Sequence, residues 1–444
     1  MLRNGDRVST KQHRIAELAK RSPERVFTSL AHLVDIAWLH EAYRRTRKDG
    51  AVGIDGQTAK DYEVNLEANL RSLLDRVQSG TYRAPAVRRV HIPKGTGPET
   101  RPIGIPTFED KVLQRAVLML LEPIYEVDFH DCSYGFRPRR SAHQALAATW
   151  KHTMDAGGGW VLEVDLRKCF DTLDHRHLQA FFQHRVRDGV LKRLIGKWLK
   201  AGVMEHGSVS YPDSGSPQGG VISPLAANVY LHYVLDEWFE RIVKPRLRGQ
   251  AHLVRYADDL VMVFKREDDA RRVLAVLAQR CAKYGLTIHP EKTRLIDFRQ
   301  PSDSRANPGL RKSGTFDLLG FTHYWSRSRR GVPIVKRKTA SPRLTRSVRV
   351  LSRWCRGHRH DPISQQHAVL SPKIRGHYAY FGITGNGASL KNFLFLVQRT
   401  WHRWLNRRHR KRSMDWAKFN RLLQRFPLPS VRVVHSISGR VANA

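Results

Sequence analysis

Three aspartates stand where carboxylates could hold metal ions. Asp165 ends the apolar segment VLEVD, which predicts a buried strand. Asp258 and Asp259 lie together between two apolar segments that predict a β-hairpin. Carboxylates placed side by side among apolar residues are costly unless positive charge lies nearby. Asp is also common in ordinary turns, so the hairpin alone leaves a structural interpretation open.

The acid at the end of the other strand favours metal binding. Mg²⁺ is held by hard oxygen ligands from a few Asp residues together with substrate phosphates. Two such ions, about 3.5–4 Å apart, stabilise the attacking and leaving oxygens of a phosphoryl displacement. We therefore predict Asp165 and Asp258 as metal ligands, with Asp259 acting less directly. The backbone carbonyl of Leu166 is a further candidate ligand.

The elements that must position these acids are short strands that alternate with helices. Apolar spacing predicts helices at 1–50, 58–78, 108–127, 172–201, 225–240 and 267–284, and strands at 87–93, 160–166, 253–264, 286–288 and 293–298. Asp174 is predicted to cap a helix N-terminus. Segments rich in Gly and Pro predict loops at 94–106 and 300–314. The pattern is helical and basic from residue 340, so we predict an α+β core followed by a basic helical module.

The charge of the chain is strongly positive and unevenly distributed. Of the 444 residues, 78 are Lys or Arg and 40 are Asp or Glu, which gives a net charge of +38. Residues 321–444 hold 27 of the basic residues and only two acids, Asp361 and Asp415. Such a segment repels itself unless it binds an anionic partner. We expect DNA or RNA as that partner; the alternative is a basic tail that only increases solubility.

The cysteines and the hydropathy pattern argue against several classes of protein. Cys132, Cys169, Cys281 and Cys355 form no C-x-x-C pair, so neither a zinc finger nor a disulfide framework is expected, and a reducing cytoplasm fits. Residues 355–360 hold one Cys and two His, but a single sulfur in an Arg-rich stretch is a poor zinc motif. No apolar signal region opens the sequence, and no stretch of about 18 apolar residues predicts a membrane span.

Around the three aspartates the sequence resembles the reverse transcriptases encoded by bacterial group II introns, the intron maturase family. The resemblance covers about residues 50–440, and its motifs occur in the family order. The motifs are RPIGIPT (101–107), SYGFRP (133–138), VDLRKCFD (164–171), GSPQGGVISPLAAN (215–228), YADD (256–259), GLTIHPEKT (285–293) and LGF (319–321). The tetrad alone is a weak signal, whereas the ordered set is specific.

The resemblance implies an α+β right-hand polymerase with fingers, a palm of antiparallel sheet and helices, and an α-helical thumb or maturase module. It implies a cytoplasmic RNA-directed DNA polymerase in which Asp165, Asp258 and Asp259 are catalytic and bind two Mg²⁺ ions, or Mn²⁺. The implied domains are 1–85, a helical extension of the fingers; 86–325, fingers and palm; and 326–444, the basic thumb or maturase domain. The implied partners are group II intron RNA or another RNA template, a DNA primer or target, and deoxynucleoside triphosphates.

Positions that match the family motifs imply further roles. Lys94 and Arg101, on a loop expected to be flexible, would contact the triphosphate, since guanidinium and ammonium groups suit phosphate oxygens. Phe170 would lie under the nucleotide sugar and exclude a 2′-hydroxyl. The remaining implied residues are Gln218 and Lys292 for the nucleotide, and Tyr256, Ala257, Gly219 and Gly220 for primer and template. Surface charge, core packing and a helix start are the structural alternatives for these residues.

The C-terminal segment resembles the thumb and maturase region of the family at 376–382, 401–408 and 416–423. Arg residues that alternate with aromatic residues suit RNA. The candidate RNA-binding residues are Arg403, Arg407, Arg408 and Arg410, and the residues expected in the bundle core are Trp401, Trp404, Phe395 and Leu396. The sequence stops soon after Pro429, so we expect no endonuclease domain of the kind that longer members carry.

Two other functions remain open on sequence grounds. One is an RNA-binding splicing cofactor without polymerase activity, against which the three intact acids argue. The other is a domesticated relative that works in phage defence or DNA repair, with the same chemistry and a different template.

Overall fold

The computed structural model describes residues 4–93, 100–205, 208–211, 219–301, 314–328, 330–408 and 414–436. Lys94, Gln218 and Arg410 lie outside these residues. The helices are α1 (Asn4–Arg21), α2 (Ile36–Arg45), α3 (Ala59–Val64), α4 (Leu66–Gln78), α5 (Phe108–Asp128), α6 (Ala142–Asp155), α7 (His175–Arg185), α8 (Gly189–Leu199), α9 (Ser223–Leu231), α10 (Glu267–Lys283), α11 (Ser341–Gly357), α12 (Ile363–Phe381), α13 (Gly387–Leu405) and α14 (Trp416–Arg425). The strands are β1 (Val87–Pro93), β2 (Thr100–Ile105), β3 (Trp160–Arg167), β4 (Val203–Glu205), β5 (Ser208–Ser210), β6 (Ala251–Tyr256), β7 (Asp259–Phe264), β8 (Thr287–Ile288), β9 (Arg294–Asp297), β10 (Phe316–Leu318), β11 (Phe321–Arg327) and β12 (Pro333–Thr339). The predicted α+β class is confirmed.

Backbone contacts divide the chain into two compact units. The first comprises Met1–Ala145, Val164–Met262 and Arg266–Leu295, and the second comprises Leu146–Glu163, Val263–Lys265 and Ile296–Ala444. All three predicted catalytic aspartates lie in the first unit. Most of the basic C-terminal segment lies in the second.

Helix α5 is the central helix of the first unit, because apolar side chains cover most of its circumference and are buried. Its N-terminus is capped by Thr107, whose hydroxyl accepts the backbone N–H of Asp110 at 3.3 Å. Trp38 of α2 is fully buried and donates its indole N–H to the carbonyl of Ala116 at 3.0 Å. Packing of α1 and α2 against α5 therefore forms part of the core of the first unit.

The sheet that carries the aspartates has the strand order β6-β7-β3-β8, and β9 also pairs with β3. Strands β3 and β8 are antiparallel, with Leu166 opposite Ile288 and Arg167 opposite Thr287. Five of the six residues of β7 are buried, as expected for a strand inside a sheet. The predicted strand at 160–166 and the predicted hairpin at 253–264 are both confirmed.

The second sheet of the first unit has the order β2-β1-β4-β5. Strand β2 pairs with β1 in antiparallel fashion from Arg88 opposite Ile105 to Pro93 opposite Thr100. The prediction of a loop over all of 94–106 is therefore wrong for β2. Pro102 suggested a loop, but β2 is an edge strand, where proline is tolerated because one side of the strand needs no donor.

Helix boundaries differ from the predictions at three places. The helix predicted over 58–78 is divided at Asn65 into α3 and α4. The helix predicted over 172–201 is divided into α7 and α8, because Asp188 accepts the backbone N–H groups of Val190 and Leu191 and starts a new helix. Asp174 accepts the N–H of His177 at 2.9 Å, which confirms the predicted cap. The helix predicted over 225–240 is α-helical only to Leu231 and continues in wider π-helical turns.

The second unit contains a three-stranded antiparallel sheet, β10-β11-β12, that the sequence did not predict. Helices α11 to α14 share an apolar core in which Trp401 is fully buried, as predicted, and Trp404 is partly buried. Phe395 is 53% exposed, so its predicted place in the core is wrong. The buried residues Phe393 and Val397 lie on the opposite face of α13. No helix among the described residues is both long enough and apolar enough to cross a membrane.

Candidate active site

The end of strand β3 presents Asp165, whose backbone is held on both sides. The N–H of His289 donates to the Asp165 carbonyl at 2.8 Å, and the Asp165 N–H donates to the Thr293 hydroxyl at 3.4 Å. Between these two contacts Lys292 places Nζ 3.6 Å from Oδ2 of Asp165, with side chains 54% and 38% exposed. The segment 285–293 therefore fixes the strand end and places one cation beside the carboxylate.

The hairpin β6–β7 presents the other two acids. Ala257 and Asp258 form the turn, and Asp259 opens β7. Ala257 has a φ of 57°, a left-handed conformation that a side chain disfavours unless its surroundings impose it. Strands β7 and β3 are neighbours in one sheet, so the hairpin lies beside the strand that carries Asp165. Asp258 is half-buried and Asp259 is exposed.

Arg255, the residue before the tetrad, is fully buried under the hairpin turn. Its guanidinium donates to the carbonyl of Ala257 at 3.1 Å and to the hydroxyl of Ser133 at 2.8 Å. It also forms a two-bond ion pair with Asp236, at 2.8 and 2.5 Å, and donates to Asn228 at 3.0 Å. These contacts explain how the left-handed Ala257 is held. Neither Arg255 nor Asp236 was among the residues predicted to belong to the site.

The segment SYGFRP packs directly on this turn. The N–H of Tyr134 donates to the Arg255 carbonyl, and the N–H of Arg255 donates to the Cys132 carbonyl, both at 2.8 Å. A Cβ on Gly135 would lie 2.3 Å from the backbone nitrogen of Ala257, so only glycine fits there. The SYGFRP motif, one of those that resemble the family, therefore supports the hairpin turn and its acids through backbone contacts.

Two further motifs, far apart in sequence, meet at Gly219. A Cβ on Gly219 would lie 2.5 Å from the carbonyl oxygen of Gly104 in β2, and the φ of Gly219 is +120°.

Arg101 lies on strand β2, opposite Ile92, and is exposed. The prediction that Arg101 lies on a flexible loop is therefore wrong, because Arg101 is part of a paired strand.

The residues after Gly220 are held by a buried polar network. Gln114 accepts the N–H groups of Val221 and Ile222 at 2.7 and 3.3 Å, and its amide donates to Asp110 at 3.0 Å. Asp110 also accepts from the hydroxyl of Tyr82 at 2.5 Å and from the indole of Trp198 at 2.8 Å. Burial raises the pKa of Asp110 to about 6.

Aromatic side chains accompany the acids. Phe170 is half-buried and lies edge-on to Phe136, with ring centroids 6.4 Å apart. Phe136 is 54% exposed with a φ of 56°, and no role was predicted for it. Tyr256 is half-buried at the end of β6. Cys169 is buried, and burial together with the charge of Asp258 raises the pKa of its thiol, consistent with a packing role.

The donor set at the strand ends fits hard divalent cations, because solvent-accessible carboxylates lie on neighbouring strands. In the part of the chain that the structure describes, one group of three His, Cys, Asp or Glu residues places its ligand atoms within 4.8 Å of one another, and the aspartates are not in it. Ligands shared between two ions about 3.5–4 Å apart need not converge so closely. Asp165, Asp258 and Asp259 are therefore compatible with a two-ion site.

The candidate RNA-binding arginines of the second unit have different surroundings. Arg403 and Arg407 are exposed and lie over the ring of Trp404, at 5.7 and 5.1 Å. Arg408 is half-buried and donates to the backbone carbonyls of Arg359 and Asp361. Arg408 therefore connects parts of the second unit, whereas Arg403 and Arg407 present their charge to solvent.

The chain is similar to known reverse transcriptases. Residues 92–323 match the family described as reverse transcriptase (RNA-dependent DNA polymerase). The chain is 37% identical over 290 residues to Protein YkfC of Escherichia coli (strain K12), over 58% of this chain and 76% of that protein. It is 38% identical over 220 residues to the group II intron-encoded protein LtrA of Lactococcus lactis subsp. cremoris, over 49% of this chain and 36% of LtrA. It is 29% identical over 177 residues to nuclear intron maturase 2, mitochondrial, of Arabidopsis thaliana, over 31% of this chain and 24% of that protein.

The matched region contains the strand end, the hairpin and the motifs that support them. The predicted family and the predicted enzyme class, RNA-directed DNA polymerase, are confirmed, and enzymes of this family use divalent metal ions. A phage-defence or DNA-repair enzyme and a splicing cofactor without polymerase activity are not favoured. The chain belongs to the reverse transcriptase (RNA-dependent DNA polymerase) family, among the group II intron reverse transcriptases and maturases.

Proposed function

We propose that this chain copies intron RNA into DNA at a two-Mg²⁺ site formed by Asp165 and Asp258. Asp259 contributes to the electrostatic field around the ions. The observation that carries the proposal is that β3 and the hairpin β6–β7 are neighbours in one sheet, with the turn held by Arg255. When bound, the two ions stabilise the attacking 3′-hydroxyl and the departing pyrophosphate oxygens. The carbonyl of Leu166 is a further ligand in this proposal.

The surrounding residues of the chain bind and orient the nucleotide. Lys292, beside Asp165, neutralises negative charge that develops on the pyrophosphate. Arg101 contacts phosphate oxygens from the exposed side of β2. Phe170 lies under the sugar and excludes a 2′-hydroxyl. Lys94 and Gln218, which lie outside the described residues, are proposed as further nucleotide contacts.

The primer and template lie against backbone that can approach them closely. Gly219 and Gly220 border the base pair, because the absence of a side chain permits this approach. Tyr256 and Ala257 support the primer end beside the acids. We propose 1–85 as the extension of the fingers, 86–325 as fingers and palm, and 326–444 as thumb or maturase domain.

The second unit binds the RNA and assists its splicing in this proposal. Its exposed Arg403 and Arg407, stacked near Trp404, combine charge with an aromatic surface that suits single-stranded or structured RNA. One relative is named nuclear intron maturase 2, mitochondrial, and another is named group II intron-encoded protein LtrA. The proposed partners are group II intron RNA, a DNA primer or target and deoxynucleoside triphosphates.

Primer extension on RNA and on DNA templates with Mg²⁺ tests this function. Asp258→Ala should lower synthesis by at least about 10³-fold and leave RNA affinity nearly unchanged. Asp268→Ala, which removes a partly exposed acid at the start of α10, is the matched control and should retain synthesis. Retained synthesis in Asp258→Ala would refute the site. If the unsubstituted chain synthesises no DNA on the RNA template, the proposed activity is refuted.

A further inference from the structure

Two imidazoles and one carboxylate converge in the first unit, outside the aspartate site. His130 follows the end of α5, His232 begins the π-helical turn after α9, and Glu237 directly follows that turn. Each offers one ligand atom, and the three atoms lie within 4.8 Å of one another. Among the described residues this is the one group of three that meets this distance.

The π-helical turn is what brings two of these residues together. The N–H of Glu237 donates to the carbonyl of His232, a bond across five residues. In an α-helix, residues five apart point in directions about 140° apart, whereas the wider π turn brings them towards one face. Single π turns occur frequently at functional sites, and the sequence gives no sign of this one.

The separations suit a small tetrahedral metal centre. Nε2 of His130 lies 3.0 Å from Oε1 of Glu237, and Nε2 of His232 lies 3.7 Å from the same oxygen. Metal–ligand distances of about 2.0–2.1 Å in a tetrahedron place ligand atoms about 3.3 Å apart. The two observed distances lie on either side of that value.

The surroundings of the cluster also resemble those of metal ligands. His232 is 2% exposed, and its Nδ1 has no hydrogen-bond partner in the structure. That Nδ1 lies 3.9 Å from Asp236, and a ligating His commonly presents its second nitrogen to a carboxylate. Nε of Arg241 lies 2.8 Å from Oε2 of Glu237, which leaves Oε1 to face the imidazoles.

We propose that His130, His232 and Glu237 bind one Zn²⁺ ion, with water in the fourth position. Two imidazole nitrogens and one carboxylate oxygen favour Zn²⁺ over Mg²⁺, which prefers oxygen ligands alone. His130 and Glu237 have side chains 27% and 22% exposed, which gives the ion a route of entry. The ion joins the segment before the SYGFRP motif to the helix that holds Asp236, the partner of Arg255.

Metal binding by the untagged full chain tests the site without any assay of synthesis. After chelator treatment and dialysis, titration calorimetry with ZnCl₂ should give one tight site per chain, and Co²⁺ should give the visible absorption of a tetrahedral centre. His130→Gln and Glu237→Gln, both at partly exposed positions, should each weaken Zn²⁺ binding by at least about 100-fold and abolish the Co²⁺ band. MgCl₂ should not compete.

Two controls separate this site from others. His40→Gln removes a partly exposed imidazole that contacts Glu67 at 2.7 Å, a His–Glu pair outside the three-residue group, and should leave Zn²⁺ binding unchanged. Asp258→Ala should also leave it unchanged, because the aspartate site is separate. If the chain binds no Zn²⁺, or if His130→Gln and Glu237→Gln bind it as tightly as the unsubstituted chain, the zinc site is wrong.

Discussion

Arg255 and Asp236 form a two-bond ion pair in which both side chains are fully buried, and the same guanidinium donates to the carbonyl of Ala257. A pair removed from water in this way gains little net stability, but the loss of one partner leaves an uncompensated charge. The pair therefore matters through the geometry that it imposes. It sets the turn that carries Asp258.

Substitution of either partner should damage both folding and synthesis. Asp236→Asn leaves the Arg255 charge buried and should lower the free energy of unfolding by about 3–5 kcal/mol. Arg255→Lys keeps the charge but loses the planar fork that reaches several acceptors, so kcat should fall more than KM rises. Urea unfolding and steady-state primer extension measure the two effects.

An exposed ion pair provides the control for this prediction. Arg266 and Asp268 form a similar two-bond contact at 2.9 Å, but both side chains are partly exposed. Asp268→Asn should therefore change the free energy of unfolding much less than Asp236→Asn does. Equal effects of Asp236→Asn and Asp268→Asn would contradict the importance of burial at Arg255.

The positions of the acids could be predicted because they depend on local patterns. An apolar run that ends in Asp165 and two apolar runs around Asp258 identify a strand and a hairpin from neighbouring residues alone. Arg255 could not be recognised in this way, because a charged residue before Tyr256 looks like a surface position. Its burial depends on Asp236, which lies on a distant element.

Other features escaped prediction for related reasons. Pro102 indicated a loop, although its strand lies at a sheet edge where proline is tolerated. His232 and Glu237 share a face only because the helix widens there, and apolar spacing does not reveal π turns. In β12 three consecutive basic residues, Lys336, Arg337 and Lys338, interrupt the apolar pattern, so this strand was not recognised. The domain boundaries at 85 and 325 stay predictions.

Gly219→Ala tests the close approach of two motifs. The added Cβ would lie 2.5 Å from the Gly104 oxygen and 2.6 Å from Cγ2 of Ile103, at a φ of +120°. One of the two segments must move, so nucleotide incorporation should fall by at least about 10-fold. Gly376→Ala, in a helix with open space around the position, should keep full activity and add up to about 1 kcal/mol of stability. Full activity of Gly219→Ala would show that the approach is not needed.

Phe170→Ala tests the selection of the sugar. Removal of the ring should admit a 2′-hydroxyl, so the ratio of ribonucleotide to deoxyribonucleotide incorporation should rise by about 10-fold or more. Single-nucleotide incorporation with each substrate measures that ratio. Phe395→Ala removes an exposed ring of the second unit and serves as the control. An unchanged ratio in Phe170→Ala would assign Phe170 to packing against Phe136 alone.

RNA affinity should depend steeply on salt, and the arginines should divide by their surroundings. The slope of log affinity against log salt should decrease by about 1 for each phosphate contact that is lost. Arg403→Ala and Arg407→Ala should each reduce the slope. Arg408→Ala should mainly lower the melting temperature, because this side chain bonds backbone carbonyls. If Arg403→Ala and Arg407→Ala keep the salt slope of the unsubstituted chain, Arg403 and Arg407 are excluded as RNA contacts.

Stability should fall as pH rises through the titration of Asp110. Burial raises its pKa from 3.8 to about 6. The folded chain therefore holds this proton where the unfolded chain has lost it, and the free energy of unfolding decreases between about pH 4 and 6, by about 3 kcal/mol.

Asp110→Asn should remove this decrease, whatever its effect on overall stability. Asp268→Asn is the control, because the pKa of Asp268 is lowered to about 2, below the window. Urea unfolding at pH 4.5 and pH 7 gives the comparison. A pH dependence as steep in Asp110→Asn as in the unsubstituted chain would show that another group, such as Asp128, whose pKa is also raised to about 6, dominates the change.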